Sequence, residues 1–161
     1  MQRNTMHPIM LTEADLTSAE RRIPPGTPVV MLNLVAFNSR ALYEDASIPP
    51  CSGREAYLQR YAPAFREAAA VEGVAGIKPL YVGGVATTII GPAEPGWDAV
   101  VLVEYPNFEA LRKVLQSPFY KSKAEPHRKA ALRAWQFIAT VQPRQEGSAG
   151  HIWKPDPGHV I

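Results

Sequence analysis

Sixteen prolines in 161 residues divide this chain more firmly than any other feature of it. A pyrrolidine ring fixes φ and leaves no N–H to donate, so a proline ends the helix or strand it meets unless it stands in a first turn or on an edge. Most of these prolines stand in pairs or beside glycine, as at Pro24, Pro25 and Gly26, at Pro49 and Pro50, at Gly91 and Pro92, and at Pro95 and Gly96. Periodic segments lie between the breaks. Glycine content is ordinary at 11, so the chain reads as an ordered domain punctuated by turns and not as a low-complexity sequence.

The segments have distinct periods. Thr12 to Arg22 begins with a capping hydroxyl and the acidic Glu13 and Asp15 and ends in Arg21 and Arg22, the charge order that suits a helix dipole. Pro28 to Phe37 is β-branched and apolar, and predicts a buried strand. Ser52 and Glu55 have capping-box spacing ahead of a helix with Tyr57, Leu58, Tyr61, Phe65 and Ala68 on one face, and Pro63 predicts a kink or break near Gln59. Ile77 to Ile90 predicts a second strand with a bulge or close approach at Gly83 and Gly84, and Trp97 to Tyr105 a third. Asn107 caps a helix carrying Phe108, Leu111, Val114 and Leu115. After an interruption at Ser117 to Tyr120, a further helix over about Pro126 to Arg133 leads to a fourth strand from Trp135 to Val141.

Strand, helix, two strands, helix, strand is the split βαβ order. It predicts an α+β, ferredoxin-like fold with a four-stranded antiparallel sheet and both helices on one face. The boundaries read as an N-terminal helical extension over residues 1–26, the α+β domain over 27–142 and a tail over 143–161. An uncovered Val- and Ile-rich sheet face predicts a homodimer through the sheets, with the tail wrapping the partner or closing a pocket.

Charge and cysteine content narrow the setting. Seventeen basic against 15 acidic side chains give a net charge of +2, too small a field to point to nucleic acid. The lone Cys51, the polar start and the lack of a run of about 20 apolar residues suit a cytoplasmic protein with no membrane span.

Specific residues carry a family resemblance over about residues 27–142. The run from Pro28 to Asn33, Ser52 to Tyr57 with Tyr61, Gly91 with Trp97 and Asp98, Tyr105 with Pro106, Ser117 to Tyr120, and His127 with Arg128 resemble, in that order, the bacterial domain-of-unknown-function family numbered 1330. The resemblance implies the dimeric α+β barrel superfamily, in which two subunits build the barrel. It implies no single reaction, since that superfamily includes cofactor-free monooxygenases, lactone isomerases, polyketide cyclases and haem enzymes.

Four residues are candidates for chemistry. Asn33 falls in mid-strand among aliphatic residues, so its amide either bonds neighbouring backbone or serves as a donor to a substrate carbonyl or oxyanion. Arg128 lies on the apolar stripe of Ala124, Leu132 and Trp135 and needs a partner, either Asp98 or Glu104 in a structural pair or the carboxylate of a ligand. His127 is the histidine of the domain proper, with His7, His151 and His159 in the terminal segments, and with Asp98 it is a candidate for proton transfer. Tyr57, Tyr61, Trp97 and Tyr120 belong to an aromatic set that reads as core or as the wall of a pocket for a flat ligand. No metal-ligand spacing, phosphate loop, dinucleotide fingerprint or nucleophile elbow is present, and no cofactor is expected.

Three functions fit these residues. One is a cofactor-free enzyme of isomerase, cyclase or monooxygenase type acting on a small aromatic or enol-like carboxylate or ketone. The second is a protein that binds such an anionic or aromatic molecule without converting it, and the third is a structural homodimer.

Overall fold

The computed structural model describes residues 9–142. Its elements run α1 (Glu13–Glu20), β1 (Val29–Phe37), α2 (Gly53–Glu55), a first π-helical turn (Ala56–Tyr61), α3 (Ala62–Val71), β2 (Lys78–Gly84), β3 (Ala99–Tyr105), α4 (Phe108–Gln116), a second π-helical turn (Tyr120–Ala124), α5 (Glu125–Ala131) and β4 (Leu132–Thr140). The strands lie in the order β2-β3-β1-β4 and every neighbouring pair is antiparallel. This is the α+β, ferredoxin-like arrangement predicted by the split βαβ order.

β1 is central, and its register divides the sheet into two faces. Met31, Asn33 and Val35 stand opposite Val103, Val101 and Ala99 of β3 and Ala139, Phe137 and Trp135 of β4. These side chains share the face covered by the helices, because successive residues of a strand point to opposite sides. A row across the other face runs Tyr81, Leu102, Leu32 and Ile138, with Val30, Leu34 and Val100 beside it. None of these belongs to either buried cluster, and Tyr81 is 55% and Ile138 36% exposed.

The two long helices meet their prolines by widening instead of breaking. Ahead of Pro63 the chain forms the first π turn, and the Ala62 N–H reaches back to the Tyr57 carbonyl. Ahead of Pro126 it forms the second, with the Glu125 N–H on the Tyr120 carbonyl. A proline has no N–H to give and its ring strikes the carbonyl four residues back, and the wider turn relieves both. The kink or break expected near Gln59 is therefore replaced by a π turn within a continuous helix.

Other local expectations are corrected as well. β2 ends at Gly84, and Ile89 and Ile90 are 90% and 92% exposed in the connection that follows, since β3 offers no partner before Ala99. The irregularity of β2 lies between Pro79 and Tyr81 and not at the glycines, while the close approach given as the other reading is met at Gly83, which lies beneath the Tyr81 ring. Ser52 accepts the Glu55 N–H at 3.1 Å, but the Glu55 carboxylate lies toward Arg60 at 3.9 Å, so half of that capping box forms. A full box forms at Thr12 and Asp15. α5 ends at Ala131 and β4 begins at Leu132, ahead of the expected boundaries.

α1 is held on α4 by Arg112, which bonds Glu13, Glu20 and Thr17, and by Gln116 on Glu13 at 2.6 Å. The proposed role of residues 143–161 lies outside the described residues. Among the described residues no helix is long and apolar enough to cross a membrane.

Gly53 fixes how the start of α2 meets the ends of β1 and α5. A Cβ there would lie 2.3 Å from the Asn38 carbonyl oxygen and 2.4 Å from that of Ala131, both backbone atoms. Gly53→Ala is expected to destabilise the domain by about 1–3 kcal/mol or more, read as a lower urea midpoint with an unchanged slope.

Candidate functional site

The helix-covered face of the sheet does not close fully against α3 and the first π turn. A cavity of about 210 Å³ remains, walled by Asn33, Val101 and Phe137 of the sheet and by Tyr57, Tyr61 and Phe65 of the helix. Tyr57 and Tyr61 stand one wide turn apart with ring centroids 5.0 Å from each other, and Phe65 continues the line at 6.1 Å from Tyr61. Tyr105 also lines the cavity and meets Phe65 edge-on at 6.3 Å.

Asn33 is 7% exposed and held at both ends of its amide. Its Oδ1 accepts the Trp135 Nε1–H at 3.0 Å, and its Nδ2 donates to the Val101 carbonyl at 3.3 Å. The bonded backbone partner is the bland role expected of a buried amide, yet the residue also lines the cavity. An amide nitrogen carries two N–H groups, and one bond to Val101 leaves the second.

Burial sets the protonation of the phenols. It pushes Tyr57, Tyr61 and Tyr105 above the ordinary phenol range, further than the Arg128 charge draws Tyr57 and Tyr61 down. They are neutral donors at physiological pH. The one charged residue lining the cavity among the described residues is Arg66, which is exposed.

Arg128 lies behind this wall and is itself fully buried. Its Nε–H donates to the Tyr120 hydroxyl at 3.2 Å, Nη1 to the Ile9 carbonyl and Nη2 to Glu125 at 3.3 Å, while the guanidinium stacks 4.4 Å from the Trp135 ring centre. Asp98 and Glu104 were the expected partners and neither is. Strand parity puts both on the side away from the helices, where Glu104 meets Lys78 at 3.3 Å. Asp98 accepts the Phe37 N–H at 2.7 Å, stands 3.7 Å from Arg133, and borders a shallow groove with Asn38 and Arg54.

The remaining candidates are dispersed. His127 shares a 2.8 Å hydrogen bond through Nδ1 with the Tyr43 hydroxyl and lines no part of the cavity. Burial, and then the nearby Arg60 charge, hold its pKa below the usual range. Trp97 does not line the cavity either, and Tyr120 is 1% exposed with its hydroxyl on Arg128. Of the eight sequence candidates, the structure brings Asn33, Tyr57 and Tyr61 together in one cavity. Trp135 and Phe137 were not singled out, although their alternation along the fourth strand puts them on the face of Asn33. Among the described residues no three of His, Cys, Asp and Glu gather at metal-binding distance.

Comparison with solved structures gives a match over nearly the whole chain. A methylated protein from Rhodopseudomonas palustris is 29% identical with a TM-score of 0.71, the match covering 89% of this chain and 100% of that one. A second structure of the same protein, of unknown function, gives 28% identity and a TM-score of 0.71 over 86% and 98%. A dimeric ferredoxin-like protein from Thermobifida fusca is 14% identical with a TM-score of 0.41 over 73% and 92%, too distant to bear on this chain. No family model and no curated protein matches, so the resemblance to family 1330 rests on the residues quoted for it.

Three outcomes follow from this geometry. Arg128→Ala leaves Glu125, Tyr120 and the Ile9 carbonyl without their cation, and is expected to cost about 3–5 kcal/mol in chemical denaturation. The buried phenols have a raised folded pKa, so their contribution is complete below the unfolded value near 10 and is lost as pH rises beyond it. Urea midpoints should fall steeply above about pH 10, and less steeply in Tyr57→Phe. His127 has the opposite sign. Its depressed pKa contributes stability above about pH 6.5 that is lost as the solution is acidified, a limb that His127→Gln should flatten.

Proposed function

We propose that the cavity binds a small, flat molecule, an aromatic or enol-like ketone or carboxylate, without a cofactor. The observation behind this reading is the meeting of Asn33, Tyr57, Tyr61 and Tyr105 on one apolar cavity. A cavity of about 150 Å³ accommodates benzene, so about 210 Å³ suits a single ring with one or two small substituents. The neutral phenols and the second Asn33 N–H are donors for a carbonyl oxygen. A carboxylate would sit at the rim on Arg66, where it keeps water contact and avoids the desolvation that holds the tyrosines neutral.

Binding is favoured over conversion. No carboxylate, histidine or thiol lines the cavity among the described residues, and the expected proton carriers His127 and Asp98 lie elsewhere. The fixing of Asn33 by Trp135 favours a second reading, a cofactor-free isomerase or cyclase in which that amide stabilises a developing enolate oxygen. Arg128 then acts as the structural support of the wall and not as an anion clamp.

We further propose that two copies pair through the open sheet face, as expected of an uncovered apolar row from Tyr81 to Ile138. The native protein should have dimer mass in light scattering and Leu102→Glu monomer mass. A monomeric native protein would refute the pairing.

Ligand binding is tested by thermal shift against phenols, aryl ketones and aryl carboxylates. Ligand at about 100 times its Kd adds about 2.7 kcal/mol, a shift of several degrees for a chain of this size. Tyr57→Phe and Asn33→Ala should each weaken a hit about 5–10-fold, as expected for a lost hydrogen bond. Affinity unchanged in both would place the ligand elsewhere.

A further inference from the structure

A second cavity, of about 300 Å³, lies between the N-terminal segment and the sheet. Its walls are Met10, Leu11, Leu16 and Ala19 from the segment and Met31 and Ala139 from the strands, with Trp135 and Phe137 forming part of it. Trp135 and Phe137 also line the first cavity, so one stacked pair, centroids 4.7 Å apart, is a wall common to both. The two rings are held differently. Trp135 is fixed by its bond to Asn33 and by the Arg128 guanidinium on its face. Phe137 has no polar atom to anchor it. It stands directly across the strands from Asn33, the residue at the polar end of the first cavity.

We propose that the two cavities are compartments of one site, and that its ligand is a ring carrying an unbranched apolar chain. The ring occupies the cavity at Asn33 and Tyr57, and the chain passes Phe137 into the space beneath α1. This rests on the reading of the first cavity as a small-molecule site. The chemistry of the second compartment suits a chain and little else. Its polar lining residue, Asp15, is engaged in the Thr12 capping box, and Met10 and Met31 are flexible side chains that adapt to chains of different length. Arg112 and Arg128 fasten the segment that roofs it, the first through Glu13, Glu20 and Thr17 and the second through the Ile9 carbonyl.

The test is calorimetric titration of the full chain with 4-alkylphenols from methyl to octyl. Each methylene entering an apolar compartment should raise affinity about fourfold. Ala139→Phe, which fills the second compartment alone, should leave 4-methylphenol binding as it is and abolish the gain with length. Ala19→Phe fills the same space from the helix side and serves if the strand variant does not fold. If 4-methylphenol binds but affinity is flat with length, or if the gain survives in the filled variant, the two-compartment site is wrong while the first cavity stands. If no alkylphenol binds at any length this inference fails, and if the aryl ketones and aryl carboxylates of the thermal-shift panel fail to bind as well, the small-molecule reading fails with it.

Discussion

The arrangement around the first cavity depends on the burial of one guanidinium. Arg128 is fully enclosed, and a cation without partners in such a place would cost more than the domain's stability allows. Its partners come from separate parts of the chain. Ile9 lies in the N-terminal segment, Tyr120 in the second π turn, Glu125 one turn back on α5, and Trp135 in β4. Satisfying one side chain therefore draws the N-terminal segment, a helix and an edge strand together. Trp135, stacked on the cation, in turn holds the Asn33 amide at 3.0 Å, so the polar end of the cavity is tied to the same arginine.

The prolines act on the same region by another route. Both π turns precede a proline, at Pro63 and Pro126, and both carry tyrosines of the aromatic set. A wider turn shifts the angular position of side chains relative to a regular helix. Tyr57 and Tyr61 lie within the first such turn with both rings at the cavity, while Tyr120 opens the second and reaches Arg128. Residues whose helix-breaking character predicted an interruption instead set the turns that hold the cavity tyrosines and the Arg128 partner, because a missing N–H can be accommodated by one extra residue in the turn.

Much of the fold was legible in the sequence and rather less of the site. The strand and helix order followed from periodicity and punctuation, which report local backbone preference directly. Asn33 was legible because a polar residue amid Met31, Val35 and their neighbours must be bonded or used. The pairing of Arg128 was not legible. Its carboxylate proved to be Glu125, three residues back on its own helix, and its other contacts come from Ile9 and Tyr120 at distances along the chain that no spacing rule encodes. The strand expected up to Ile90 failed for a similar reason. Thr87 to Ile90 have the composition of a strand, but a strand exists only where a neighbour accepts its hydrogen bonds, and β3 begins at Ala99.

By itself the sequence determined the segments, their periods, the faces of each strand and the need for every buried polar group to find a partner. These follow from steric limits on φ and ψ and from the cost of desolvating unpaired polar atoms, which act over a few residues. Tertiary structure alone decided which candidates meet. It put Asn33, Tyr57 and Tyr61 at one cavity with Tyr105 and Phe137, sent Asp98 and His127 to separate surroundings, and set Arg128 behind Trp135 as support. Strand register and helix placement are settled by the packing of the whole chain, so proximity across them cannot be read from local pattern.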